Sequence, residues 1–398
     1  MNFLQPTANT VQMAVVALFW VCASLIAYTY VGYPLLLRFL AAFIRRPPVE
    51  PSEEPTITVL ICAHNEAAGI ETKLLDTLAL HYPLGKLQVL VASDGSTDET
   101  DRIVRSFQTR GVELVRISRQ AGKTHAQNVA MEHARGEIVV FSDATTRYHP
   151  DALRFLAGNY TDLRVGATSG CYTYLDPTCH SPNGAGARAY SSYDNRIRDL
   201  QSKVWSISGC CGCIYSVRRH LYTPLGDDII SDLVQPLHIL RRGFRVTLEP
   251  RALAWEMATS SPRGEFLMRV RVVARALLGL LSVHQLLLPW HAPWIAIQIW
   301  SHKLLRWAVS LFLVGLLLSS ASLLRLPFYR AAFALQVLLY ATAAFTLLFP
   351  VHRRWRLLGL PLYFCTVNAA AVGGLIQLLR GKRFITWLPK REEPDAIR

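Results

Sequence analysis

The first 37 residues, Met1 to Leu37, contain no Asp, Glu, Lys or Arg. An uncharged apolar stretch that long can satisfy its backbone polar groups inside a bilayer only as helix. A second apolar block fills most of Leu304 to Leu379. The chain therefore reads as a membrane protein with a soluble middle, and its 51% hydrophobic and 18% charged residues exclude a disordered or fibrous polymer.

The segment from about Val11 to Tyr33 exceeds the roughly 20 residues that a crossing needs, and it lacks the basic start and short core of a cleaved signal. Arg38, Arg45 and Arg46 follow it, so the positive-inside rule puts its start outside and the middle domain in the cytosol. Leu304–Leu324 and Ala331–Pro350 are two further spans, and the chain returns to the cytosol at His352-Arg353-Arg354. Leu357–Leu379 is long enough to cross again, yet crossing would carry Lys382, Arg383, Lys390 and Arg391 to the wrong side. With Pro361, Asn368, Gly373, Gly374 and Gln377 it reads instead as a re-entrant or interfacial segment; a fourth crossing is the alternative. Between Phe266 and Trp300, Arg269, Arg271 and Arg275 sit among Leu, Val and Trp at helical spacing, the pattern of amphipathic helices on the cytosolic face.

A formal charge of +14 suits nucleic acid, an anionic membrane or a phosphorylated ligand. The basic clusters flank apolar segments, which favours acidic lipid and leaves no role for nucleic acid. Of the eight cysteines, Cys210, Cys211 and Cys213 are too close together for a disulfide framework and lack a second ligand pair for zinc; they read as small, reduced, apolar residues.

From Ile57 the pattern changes to short β-rich runs, Ile57–Ala63, Leu87–Ser93, Val112–Ile117 and Glu137–Ser142, alternating with helices at about Ala67–Leu80, Asp98–Gln108 and His125–His133. Such alternation implies right-handed crossovers and a mainly parallel sheet, whose ligands bind beyond the carboxyl ends of the strands. The polar motifs fall at those ends: Ala63-His64-Asn65-Glu66, Ser93-Asp94-Gly95-Ser96-Thr97-Asp98 and Ser142-Asp143-Ala144-Thr145. Asp94 is placed to accept hydrogen bonds from a base or ribose; its alternative role is a helix cap, a job open to Ser96 or Thr97. Gly122-Lys123 offers backbone donors and a cation to a phosphate.

Ile61–Glu66, Ala92–Asp98, Gly122–Ala130 and Ala134–Ala144 together resemble the family 2 glycosyltransferases of GT-A fold, best the membrane-bound branch with cellulose, chitin, hyaluronan and poly-N-acetylglucosamine synthases. The resemblance implies a cytosolic α/β GT-A domain, Rossmann-like with a mainly parallel sheet, plus transmembrane and interfacial helices. The expected divisions are an anchor at 1–45, the transferase domain at 50–262, interfacial helices at 263–302, transmembrane or re-entrant helices at 303–380 and a gating-like tail at 381–398.

It further implies that Ala63, Asn65, Glu66, Asp94, Lys123, Asp143 and Arg271 bind a nucleotide sugar, with Asp143 holding Mg²⁺ or Mn²⁺ on the diphosphate. The family's Asp-x-Asp is Asp143-Ala144-Thr145 here, one carboxylate short. Gly209, Cys210 and Cys211 resemble the small-residue acceptor segment. Asp232 matches the catalytic base, with Asp227-Asp228 as its rival. Met268–Val272 aligns with Gln-x-x-Arg-Trp through Arg271 alone, leaving the aromatic floor under the acceptor sugar to be supplied elsewhere. Thr386, Trp387 and Lys390 resemble a gating segment, though Trp beside Lys and Arg also anchors membrane interfaces.

The resulting expectation is an inverting glycosyltransferase of the inner membrane, multi-pass with a cytosolic catalytic domain. It would use a UDP-hexose or UDP-N-acetylhexosamine to extend a β-linked glycan, processively and with coupled translocation. The alternative is transfer of one or a few sugars to a lipid-linked acceptor. Three crossings make a lean pore, which a second copy or an export partner would enlarge. A scaffold that has lost its chemistry is the rival from another class.

Overall fold

The structure, a computed structural model, describes residues 8–44, 54–175, 184–257, 261–349 and 356–386. Trp387 and Lys390 of the expected gating segment, and His352 to Arg354, lie outside the described residues. Helix α1 (Ala8–Ala27) runs through a π-helical turn at Tyr28–Gly32 into α2 (Tyr33–Ala42). The domain then begins with β1 (Ile57–Ala63), α3 (Ile70–Leu78), β2 (Leu87–Asp94), α4 (Thr100–Ser106), β3 (Val112–Ile117), α5 (Lys123–Met131) and β4 (Ile138–Asp143). It continues with β5 (Arg147–Tyr148), α6 (Ala152–Gly158), β6 (Val165–Leu175), α7 (Gly184–Val204), β7 (Ile214–Arg218), α8 (Ser231–Arg241) and β8 (Arg245–Met257). Last come α9 (Pro262–Ser282), α10 (Pro293–Ile299), a second π-helical turn at Trp300–Leu304, α11 (Leu305–Ser322), α12 (Pro327–Leu348) and α13 (Gly359–Leu379).

The eight strands form one sheet in the order β3-β2-β1-β4-β7-β6-β8-β5. β3, β2, β1 and β4 are parallel, β7 is antiparallel to both β4 and β6, and β8 is parallel to β6. Every residue of β1 is buried, as expected of a central parallel strand covered on both faces. Val59 and Ile61 join one apolar layer while Leu60 and Cys62 join the other, so period-two alternation divides the core in two. The four expected strands and three expected helices are present within a few residues of their predicted limits. The sheet's second half, β5 to β8, also alternates with helices, but its strands pair in mixed orientations, and it was not anticipated.

Among the described residues, four helices are long and apolar enough to cross a membrane: Asn9–Ala42, Pro293–Ser322, Pro327–Leu348 and Gly359–Leu379. The expected boundary at 303 therefore falls inside one continuous helix. On α11 and α12, Leu311, Leu318, Leu335 and Leu338 are exposed, a pattern stable only against lipid or another apolar surface. Phe19 of α1 packs with Leu323 and Tyr329 at one end of the bundle, while Tyr33 and Leu37 pack on Ile197 of the domain at the other.

α13 is an unbroken helix of 21 residues. Its Gly373 and Gly374 lie against Phe266, Val270 and Val273 of α9, close enough that a Cβ on Gly374 would sit 2.8 Å from Val273 Cβ. Near its start, Tyr363 packs on Gly186 and Tyr190 of α7, and just past its end Ile385 packs on Gly122 while Arg383 pairs with Asp228 at 2.8 Å. Both ends of α13 are thus held by the domain. Gly374→Leu should force α9 and α13 apart at a cost of about 1–3 kcal/mol. The expected outcome is a lower thermal transition of the solubilised protein, read by a thermal-shift assay, with Gly381→Ala, which meets nothing within 4 Å but has φ +72, costing less.

Candidate functional site

The carboxyl ends of β1 and β4 face the helices α7, α9, α11 and α13 across a cavity of about 590 Å³. Among the expected site residues, Glu66, Lys123, Asp143, Gly209, Cys210, Cys211, Asp232 and Arg271 all line it. Residues from six distant stretches therefore converge on one space. Ala63, Asn65 and Asp94 do not line it.

Asp94 is fully buried, and its two carboxylate oxygens accept from the amides of Ala121 and Gly122, each at 2.8 Å. It closes the loop that leads into α5, so its reach toward a base or ribose is through that loop. Gly122 has φ +101, which an L side chain rarely adopts, and places Lys123 at the first turn of α5. Asn65 accepts from Thr97 N–H at 2.8 Å and holds the ends of β1 and β2 together. The helix-capping role falls to neither Ser96 nor Thr97: Asp98 accepts from the amides of Thr100 and Ala67, both at 3.0 Å. These amide bonds and the Thr100 hydroxyl hold the Asp98 carboxyl below its usual range, although burial pushes the other way.

Lys123 forms an ion pair with Asp143 and donates to Gly212 O at 3.1 Å. Burial disfavours its charge, but Asp143 and the neighbouring Asp232 more than restore it, and the ammonium is held charged above its ordinary range. The strip from Gly209 to Gly212 forms the cavity floor. Cys210 N–H donates to Asp232 O at 2.8 Å, Cys211 N–H donates to Ser169 Oγ at 2.9 Å, and a Cβ on Gly212 would meet Asp232 Oδ2 at 2.5 Å. Only glycine lets the carboxylate lie this close to the strip. Burial pushes the Asp232 carboxyl above its usual range against the pull of Lys123, Lys303, Arg198 and Arg275. Its rivals point elsewhere: Asp227 faces His125 at 3.2 Å and Asp228 faces Arg383, and neither lines the cavity.

The arginines of α9 are not snorkelling at a surface. Arg269 pairs with Glu265 at 2.9 Å and lies over the rings of Tyr190 and Tyr363, with centroids 4.7 and 5.8 Å away. Arg275 donates to the carbonyls of Asp227, Asp228 and Ile229 at 3.2, 3.3 and 2.6 Å, and so shapes the approach to α8. Tyr172, Tyr174, Tyr190 and Tyr363 line the cavity and provide aromatic faces where the Gln-x-x-Arg-Trp tryptophan is missing. Sequence reasoning passed over α7 altogether. Its Tyr190, Asp194, Ile197, Arg198 and Gln201 recur at helical spacing, a mixed aromatic and ionic face that signals a buried polar stripe.

Among the described residues no three His, Cys, Asp or Glu side chains converge as a ready metal site. Asp143 supplies one carboxylate, already paired with Lys123. A hard divalent cation fits here only if diphosphate oxygens and water complete its six or more oxygen ligands.

Residues 58–225 match the family model described as Glycosyl transferase family 2. The poly-beta-1,6-N-acetyl-D-glucosamine synthase of Staphylococcus aureus is 23% identical over 265 residues, covering 64% of this chain and 61% of that protein. A probable glycosyltransferase of Bacillus subtilis, YdaM, is 24% identical over 215 residues, 51% of each chain. The match thus spans a little over half of the curated relatives' own length. A solved mannosyltransferase from Pyrobaculum calidifontis, in complex with GDP-Man and Mn²⁺, is 25% identical and superposes with TM-score 0.69, covering 92% of this chain and 100% of that one. The expected GT-A sheet and family resemblance are confirmed. The donor set generates a test: isothermal titration of Mn²⁺ into the protein should show weak or no binding alone and clear binding once UDP or GDP is present. Tight binding without nucleotide would mean that a further protein ligand exists.

Proposed function

Since residues 58–225 match the glycosyl transferase family 2 model, we propose that the protein transfers a sugar, with inversion, from a nucleoside diphosphate sugar to an acceptor hydroxyl presented at the cytosolic face of the inner membrane. The observation that carries this is the free Asp232 carboxylate beside the Gly209–Gly212 strip, facing the same cavity as Lys123, Asp143 and Arg271.

The donor's diphosphate lies toward Lys123 and Arg271. A divalent cation, held by Asp143 together with the diphosphate oxygens, supplies charge neutralisation when bound. The donor is a UDP-hexose or UDP-N-acetylhexosamine on the likeness to the Staphylococcus aureus synthase. The acceptor hydroxyl rests on the small-residue strip, where the absence of side chains admits a sugar face. Asp232 takes the hydroxyl proton as the oxygen attacks the anomeric carbon. The bond from that carbon to the diphosphate oxygen breaks on the opposite face, and the nucleoside diphosphate leaves with the electron pair. Lys123 stabilises the charge on the leaving group without needing to move.

The acceptor is a growing β-linked glycan in the leading reading, with tyrosines of the cavity forming the aromatic floor. Transfer to a lipid-linked acceptor is the second reading, favoured by Tyr30, Trp307 and Phe364 of the apolar helices lining the cavity. In the proposed topology, α1, α11 and α12 cross, and α13 lies beneath the domain at the interface, as its two domain-held ends support. Arg38, Arg380, Lys382 and Arg383 then all fall on the cytosolic side. Thr386 belongs to a tail that covers the Gly122 loop and so restricts access to the donor end.

Membranes containing the protein, fed radiolabelled UDP-N-acetylglucosamine, UDP-glucose and GDP-mannose in turn, should incorporate label from one of them. Long polymer would support the first reading of the acceptor and a short, lipid-extractable product the second. Asp232→Asn should lower turnover about 10²–10⁴-fold with little change in donor KM. Unchanged turnover would overturn the assignment of the base. Because Asp232 must be ionised to act and burial raises its pKa, kcat should fall on the acid side at a pH above the ordinary aspartate value, about 3.9.

A further inference from the structure

The proposed transfer uses the cations at one end of the cavity, and a second set stands at the other. Asp194 of α7 is 3% exposed and is ringed by Arg198 at 2.8 Å, Arg306 at 3.0 Å and His302 at 3.1 Å. Burial alone would raise its carboxyl, but Arg198, the hydrogen bond from His302 and Arg306 hold it well below the usual range. Lys303 adds a further ammonium that has no protein partner among the described residues. Asp194, even together with the Asp232 carboxylate that also feels Arg198 and Lys303, leaves the three cations Arg198, Arg306 and Lys303 with a positive surplus. Moreover Arg198, 7% exposed, leaves its Nε and Nη1 without a hydrogen-bond partner. Buried cations with unmade hydrogen bonds are strongly unfavourable unless an anion completes them.

This surplus is separate from the donor end. Lys123 Nζ is 3.1 Å from Gly212 O, whereas Lys303 Cε lies 3.8 Å from a Cβ built on Gly209. Two residues, Cys210 and Cys211, lie between the two stations, which are therefore distinct but at most about 10 Å apart along the strip. Tyr30 and Phe364, on helices apolar enough to cross a membrane, line the same cavity. Tyr30 and Lys303 each lie in a π-helical turn, and these turns are tied together by a hydrogen bond between the Tyr28 and Ser301 hydroxyls at 2.8 Å. A π turn adds a residue to the helical repeat and re-aims the side chains within it, a feature concentrated at functional sites.

We propose that Arg198 and Lys303 form a subsite for a phosphate monoester or diphosphate at the head of a membrane lipid, which presents the acceptor to Asp232. The proposal rests on the transfer reading above and names the chemical class of its acceptor. The soluble donor reaches the opposite end of the strip, so the lipid phosphate and the nucleotide diphosphate occupy different cations.

The test uses the purified full chain in detergent micelles, without donor, titrated with farnesyl phosphate or farnesol and read by native mass spectrometry of retained lipid. Farnesyl phosphate should bind at least ten-fold more tightly than farnesol. Lys303→Met should abolish that difference, and Lys303→Arg should retain most of it, which separates lost charge from misfolding. UDP and GDP affinity should stay within about two-fold of the parent in Lys303→Met. Equal retention of the two lipids by the parent chain, or unchanged selectivity in Lys303→Met, would overturn the subsite. A matching loss of nucleotide affinity would reassign Lys303 to the donor and overturn it as well. Displacement of farnesyl phosphate by inorganic phosphate at equal concentration would make free phosphate the ligand and overturn the lipid assignment. No turnover enters this measurement, so failure of the transfer reading in Asp232→Asn remains distinguishable from failure of the subsite.

Discussion

One buried carboxylate joins the two halves of this molecule. Asp194 belongs to the domain helix α7, while Arg306 and His302 belong to the long helix that becomes α11. Because a broken buried ion pair leaves an uncompensated charge, costing about 3–5 kcal/mol, the two halves are held in one arrangement. The cavity exists only in that arrangement. Its floor is the Gly209–Gly212 strip of the domain, and its far wall is built from α11 and α13. The domain alone, without α11 and α13, would leave the Asp232 side of the cavity open to water.

The donor half was legible because its chemistry is local. Ala63 to Glu66, Asp94 to Asp98 and Lys123 each sit at the end of a strand or the start of a helix, and βα alternation fixes which ends share an edge. The roles within that edge were less legible. Asp94 and Asp98 are equally acidic in sequence, yet one clamps a loop and the other caps α4, a distinction decided by which amides the chain brings within 3.0 Å. The acceptor half was nearly invisible. Tyr172, Tyr190, Arg198, Lys303 and Tyr363 are up to 191 residues apart, since they run from 172 to 363, and only tertiary packing makes them neighbours. Arg269 and Arg275 show the same limit: helical spacing placed them on an amphipathic face, but nothing local told lipid headgroups from buried tyrosines and carbonyls.

Charge is distributed along the cavity with a purpose that the +14 total conceals. Lys123 is matched by Asp143, so this end of the cavity is close to neutral, whereas the end around Arg198 and Lys303 is not. The Asp232 carboxylate lies between cations, and among the described residues it pairs with none of them, which is what the proposed role as base requires. Basic residues at membrane edges explain much of the remaining excess, and their function there is orientation rather than chemistry.

The paired π-helical turns carry a consequence for how this architecture tolerates change. Each holds one more residue than an α turn would, so removing one from Trp300–Leu304 would restore ordinary winding and leave the faces beyond it nearly where they are, losing only the re-aimed side chains of the turn itself. Removing a residue between Leu305 and Gly315, in regular helix, would instead rotate everything beyond it by about 100°. The close contact of Gly315 with Cys22 of α1 would then swing away. A single-codon deletion is thus absorbed at the π turn and felt along the bundle when it falls just after it.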